Sequence, residues 1–253
     1  MAIKRVKSML ELCSTEDTVF PPTILYNEGW MLRLILDWFS SQKTIEHQLS
    51  SQINSKWYSE ALLPSAFLPR YRGDRFAESW THADGVIGDF EIGHNGNGDL
   101  TLLPNASVLK VVEAKMFSKL SSGTTHARYY NQAARNVACI AEVLKRAEKD
   151  PSKIESLAFY VVAPEIQINS GVFSNLMTRD SIKETVERRV KEYDESKDEW
   201  LRDWFLPTWE KIEITTISWE DILSFIHKSD EDSGLAIKDF YDSCLKYNHL
   251  PTM

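Results

Sequence analysis

At 253 residues, with 43% hydrophobic and 26% charged residues, the chain has the composition of a folded globular protein and is long enough for one sizeable α/β domain, spanning residues 1–253. A net charge of −8 argues against a surface that coats itself with nucleic acid through phosphate neutralisation, while leaving room for a local basic cleft. Three widely separated cysteines (Cys13, Cys139, Cys244) suggest neither a disulfide framework nor a zinc knuckle, and the lack of an apolar run of about 18 residues or a signal-peptide core makes a reducing cytoplasm, away from the membrane, the expected location.

From Pro22 to about Ser40, apolar residues recur at helical spacing and predict a strongly buried helix. A second amphipathic stretch runs from about Thr44 to Leu63, and Pro64 and Pro69 bracket a loop leading into the basic Arg70-Tyr71-Arg72. Ser79 to Gly93 has β character, and His94-Asn95-Gly96-Asn97-Gly98-Asp99 supplies the Asn-Gly chemistry of a tight reversal. That reversal is not a phosphate loop, because no Gly-Lys-Ser/Thr follows at a helix start. Leu100 to Leu103 and Ser107 to Met116 read as return strands.

A polar break at Ser121-Ser122-Gly123-Thr124 precedes a predicted long helix from about Thr125 to Lys149. Tyr130, Ala134, Val137, Ala138, Ala141 and Leu144 form its core stripe, and Gln132 lies off the stripe with Arg128, Arg135 and Asn136 nearby. The almost wholly apolar run Leu157–Pro164 predicts a central strand covered on both faces. An amphipathic helix over about Asp180 to Tyr193, an aromatic-rich stretch Trp200 to Trp209 and an alternating strand Lys211–Ile217 follow, and Ser218 caps a final helix. The expected order is helix, three strands, helix, strand, helix, strand, helix: a central mixed β-sheet flanked by helices on both sides.

The chemistry concentrates in Val111-Val112-Glu113-Ala114-Lys115, an apolar strand ending in a carboxylate and an ammonium that share a face by the two-residue strand period. Buried charge is costly unless paired or metal-bound. Asp84 and Asp89, five residues apart in the preceding strand, point to opposite faces, and Asp84 is the one expected to join the site. Asp84, Glu113 and the carbonyl of Ala114 suit a magnesium (or manganese) ion, which takes one or two carboxylates plus waters and substrate phosphate. Lys115 then holds the attacking water and offsets charge on the phosphorane. Arg72, Arg128 and Arg135 are the candidate nucleic-acid contacts among several basic clusters, most of which read as solvated helix faces. His82, His94 and His126 lack zinc-like spacing, and most of the eight tryptophans read as core.

This arrangement, Asp84 followed across a reversal by Glu113-x-Lys115, resembles the PD-(D/E)XK nuclease superfamily, the restriction-endonuclease-like fold. The resemblance covers about Pro22 to Pro164, with 165–253 as C-terminal α/β elaboration. It implies a metal-dependent deoxyribonuclease in which Asp84, Glu113 and Lys115 are catalytic, Glu28 matches a Glu often present in the first helix, and Gln132 matches the helical Gln of exonuclease-like branches. Ala83 stands where the family often has Pro, and Asn136 where a Tyr frequently follows that Gln. A homodimer or partner protein is also implied. The alternatives are a catalytically inactive member of the fold acting as a nucleic-acid-binding or protein-interaction module, and a structural ion-pair network without metal.

Overall fold

A computed structural model of the chain describes residues 2–42, 44–52, 54–93, 98–193 and 195–248. Among these residues, helix α1 spans Ala2–Glu11 and α2 spans Glu28–Ser41, followed by strands β1 (Lys56–Leu63), β2 (Thr81–Gly88), β3 (Phe90–Ile92), β4 (Leu100–Leu102) and β5 (Val108–Ala114). Helix α3 (Gln132–Arg146) leads to β6 (Ser156–Ala163), α4 (Glu165–Asn169) and α5 (Arg179–Lys191). The short α6 (Asp198–Trp200) continues through a π-helical turn over Leu201–Phe205 into α7 (Leu206–Lys211), and β7 (Glu213–Ser218), α8 (Trp219–Ser229) and α9 (Glu231–Tyr247) complete the chain.

Five of the strands form a mixed sheet in the order β1-β2-β5-β6-β7. Neighbours are antiparallel on the β1–β2–β5 side and parallel on the β5–β6–β7 side. The apolar runs of β5 and β6 belong at the centre because both faces of these strands are covered. On β6, Leu157, Phe159, Val161 and Ala163 pack into the layer containing α3 and α5, whereas Ala158, Tyr160 and Val162 pack into the layer containing α2, α8 and α9. The same alternation on β5 sends Leu109 and Val111 toward α3, and Val112 and Ala114 toward α2. Glu113 therefore faces α3. Lys110 faces the other layer near the opposite end of β5, where its Nζ donates to the carbonyls of Gln48 and Ser50 at 2.9 Å each.

The mixed α/β architecture agrees with the sequence reading, but several elements differ. The stretch 44–63 is not one amphipathic element: its second part is the edge strand β1, whose outer residues alternate between exposed and half-buried and which carries Glu60 at positive φ. Ser79 to Gly93 divides at Asp89, whose Oδ2 accepts from the amides of Ser107 (2.8 Å) and Val108 (3.1 Å) and whose Oδ1 accepts from Ser55 Oγ (2.6 Å). Beyond that clamp, β3 and β4 form a separate antiparallel pair. The reversal between them includes His94–Asn97, which lie outside the described residues. Helix α3 begins seven residues later than the predicted Thr125, because Asn131 caps it by accepting from the Ala134 amide. Trp200 to Trp209 is helical, and the single final helix is two helices, with Asp230 capping the second through the Ser233 amide. Ser218 caps α8 as expected, through the Asp221 amide.

Candidate active site

The site is built where β2 and β5 part. Their ladder ends at the Gly85–Val112 pair, so residues 84 and 114 are not joined by backbone bonds. Instead the Asp84 carboxylate enters the gap, and its Oδ2 accepts from the Ala114 amide at 2.8 Å. Within an extended strand the N–H and C=O of one residue point to the same edge, which directs the Ala114 carbonyl toward Asp84 as well. On the other edge, the Lys115 amide donates to Val162 O at 2.8 Å, continuing the parallel pairing with β6. The Lys115 carbonyl accepts from the indole Nε1 of Trp219 at 2.9 Å, which fixes the chain just past β5.

Glu113 is 1% exposed and is gripped on both oxygens. Its Oε1 accepts from Lys115 Nζ and from Gln132 Nε2, both at 2.5 Å, and its Oε2 accepts from Asn136 Nδ2 at 3.3 Å. Burial, and next the neighbouring Asp84 carboxylate, push the Glu113 pKa up from its ordinary value, against the opposing pull of Lys115. Gln132 is the first residue of α3 and works in two directions, because its Oε1 also accepts from the Ser121 amide at 3.0 Å. It thereby ties the loop 121–128 to the carboxylate. That loop closes on Gly123, where an added Cβ would lie 2.2 Å from the Arg128 backbone, so no larger residue fits there without moving it.

Above these groups opens a cleft of about 750 Å³ lined by Asp84, Glu113, Lys115, Gln132, Arg135 and His126, among others. Of the sequence candidates, Asp84, Glu113, Ala114, Lys115 and Gln132 come together here. Arg135 lines the cleft, and its buried Nε has no hydrogen-bond partner among the described residues. Glu28 sits in the first turn of α2 behind the Asn27 cap and does not line the cleft; its charge is instead felt by Cys244 of α9. Arg128 is exposed on the loop before α3, outside the lining. Arg72 lies in the segment between β1 and β2, against an adjoining cleft. His82 and His126 line the main cleft, with His126 Nδ1 2.7 Å from the Ala77 carbonyl.

Two contributors went unassigned in the sequence. Asn136 is buried one helical turn beyond Gln132, and this i,i+4 amide pair on one face was the available signal. Glu78 lines the cleft and is buried, with Arg189 Nε 3.1 Å from its Oε1, a pairing across 111 residues that no local pattern announces.

No group of three or more His, Cys, Asp or Glu side chains among the described residues is arranged to hold a metal. Two hard carboxylates of like charge in contact, with a backbone carbonyl directed to the same gap, nonetheless fit an ion that takes one or two carboxylates and completes its shell with water and phosphate. No protein-family model, curated protein or solved structure matches the chain.

Proposed function

We propose that the chain is a metal-dependent nuclease hydrolysing DNA phosphodiester bonds, with the chemistry of the PD-(D/E)XK enzymes it resembles. The observation that carries the reading is the convergence of Asp84, Glu113 and Lys115 at the parted ends of β2 and β5, beneath an open cleft. Charge of this kind inside a sheet adds little to stability, since a buried ion pair repays its desolvation poorly. Function is the stronger reason for it.

Asp84, Glu113 and the Ala114 carbonyl would hold magnesium or manganese. When bound, such an ion polarises a phosphoryl oxygen and acidifies a water ligand. Lys115, held 2.5 Å from Glu113, orients the attacking water and offsets the negative charge that grows on the phosphorane. Gln132 and Asn136 fix the Glu113 carboxylate against rotation, and the Arg135 guanidinium, which lines the cleft, is placed to donate to a phosphate oxygen.

The test is cleavage of linear, circular and single-stranded DNA by the purified chain with magnesium or manganese, with chelator, and beside Lys115→Ala. The expected outcome is metal-dependent cleavage that the substitution lowers on the order of 10²–10³-fold, the usual cost of removing one preorganised charge-stabilising donor. A folded wild-type protein that cuts nothing in any condition overturns the reading. One observation favours a non-catalytic module instead: the Glu113 oxygens already accept from Lys115, Gln132 and Asn136.

A further inference from the structure

The segment 64–80 that joins β1 to β2 is unlike an ordinary surface loop, because its backbone is pinned from inside. Buried Asp74 holds Arg70 in a two-point ion pair (Nε–Oδ2 2.8 Å, Nη2–Oδ1 3.1 Å) and also accepts from the Phe76 amide at 3.0 Å. The Phe76 carbonyl accepts from Tyr193 Oη at 2.5 Å and from the fully buried Arg189, which also grips Glu78. Gly73, at φ +85°, makes the turn between Arg70 and Asp74 in a conformation side chains resist. So braced, the segment turns Tyr71 outward at 61% exposure, with Arg72 beside it.

These side chains border a second cleft of about 750 Å³, whose walls include Leu68, Pro69, Tyr71, Arg72 and Trp80. It is continuous with the candidate active site: Ala77, Glu78, Ser79, Trp80 and His126 line both. A rigid wall of aromatic and apolar side chains with a cation at its rim has one obvious complement along a polyanion. The π-face of a base stacks on Tyr71 or Trp80 while its phosphate meets Arg72. Paired bases hide those faces inside the duplex, so the wall offers a duplex little.

We infer that the segment 64–80 is a single-strand platform, and that the substrate enters the active site as an unpaired DNA segment whose bases stack on Tyr71 and Trp80. The inference rests on the nuclease reading for its direction toward the active site, but its test does not depend on cleavage. The binding of a fluorescein-labelled single-stranded oligonucleotide, the blunt duplex of the same sequence and the single-stranded RNA of that sequence is measured by anisotropy, with the full chain in calcium and in chelator. Single-stranded DNA is expected to bind at least about ten-fold more tightly than blunt duplex.

Tyr71→Ala is expected to weaken the single-stranded complex on the order of ten-fold and leave the duplex complex unchanged, with Tyr71→Phe restoring wild-type binding. Because Tyr71 is exposed, the fold should tolerate both changes. Trp80→Phe, which keeps a stacking face at the half-buried position, is expected to cost less than Tyr71→Ala. Equal affinity for single strand and duplex, or an unaltered single-strand affinity in Tyr71→Ala, overturns the inference, and tighter binding of the RNA overturns the assignment to DNA. Single-strand binding without cleavage upholds the platform while the nuclease reading fails; metal-dependent cutting of duplex with no single-strand preference does the reverse.

Discussion

A carboxylate at 1% exposure depends on what faces it, and Glu113 accepts from three donors. They are not equivalent. Lys115 supplies charge, Gln132 supplies a link to the loop 121–128, and Asn136 supplies a bond from inside the core. Removing Asn136 leaves Oε2 buried without a donor, which costs the desolvation penalty of an unmet acceptor, roughly 1–3 kcal/mol. Asn136→Ala is therefore expected to lower unfolding free energy by about that amount in urea titrations. Its damage to cleavage should exceed what the stability loss explains, because the carboxylate is freed to rotate. An Asn136→Ala protein with full stability and full activity would show that the bond, the longest of the three at 3.3 Å, carries neither load.

At the scale of elements, the connection after α2 is tied down by His47. Its ring lies between Phe39 of α2 (4.7 Å) and Phe225 of α8 (4.8 Å), and its Nδ1 accepts from the Leu49 amide at 3.0 Å. Burial, and next the positive charge of Lys110, lower its pKa from 6.5 to about 4. The sign follows: between pH 6.5 and 4 the unfolded chain binds a proton that the folded chain refuses, so stability falls as pH drops through that window and is fully present above it. Carboxylates titrate at the lower end of the same window, so the comparison that isolates the imidazole is with His47→Gln, whose melting temperature is expected to fall less steeply over that range. Parallel slopes in the two proteins would remove His47 as the cause.

Some of these elements are legible in the sequence and others are not. β5 and β6 announce themselves because central strands must be apolar on both faces, and the two-residue period carried Glu113 and Lys115 to one face without further help. β1 did not, because an edge strand with alternating half-exposed residues and Glu60 at positive φ looks like a surface helix or loop. α8 and α9 merged because their junction is a single residue, Asp230, which ends one helix and caps the next. Gln132 and Asn136 needed the packing of α3 over β5 before their amides could be assigned to Glu113. Glu28 lies outside the cleft lining for the converse reason: a helix start can be read locally, while the place to which it delivers its first turn cannot.

For the whole molecule, the balance of charge sets how the proposed metal and polyanion would be met. An ion that binds the folded chain and not the unfolded one stabilises it by roughly 2.7 kcal/mol at a hundred-fold excess over its dissociation constant. Magnesium is accordingly expected to raise the melting temperature of the wild type and not of Asp84→Asn. A melting temperature indifferent to magnesium and manganese would favour a purely structural ion network at Asp84, Glu113 and Lys115.

The net charge of −8 then limits how a nucleic acid would be held under the proposed function. The unfavourable field of the whole surface leaves attraction to a few cations in the clefts, Lys115, Arg135 and Arg72. Three phosphates neutralised on a single strand, at about −0.7 each, give a slope of log affinity against log salt of only about −2. Stacking on aromatic faces does not release counterions, so it adds affinity without steepening that slope. Titrations of single-stranded DNA between about 50 and 200 mM potassium chloride are expected to show this shallow dependence, with Arg72→Ala reducing the slope by about 0.7. A wild-type slope steeper than about −5 requires seven or more neutralised phosphates, and it would relocate binding from these clefts to an extended basic surface elsewhere on the chain.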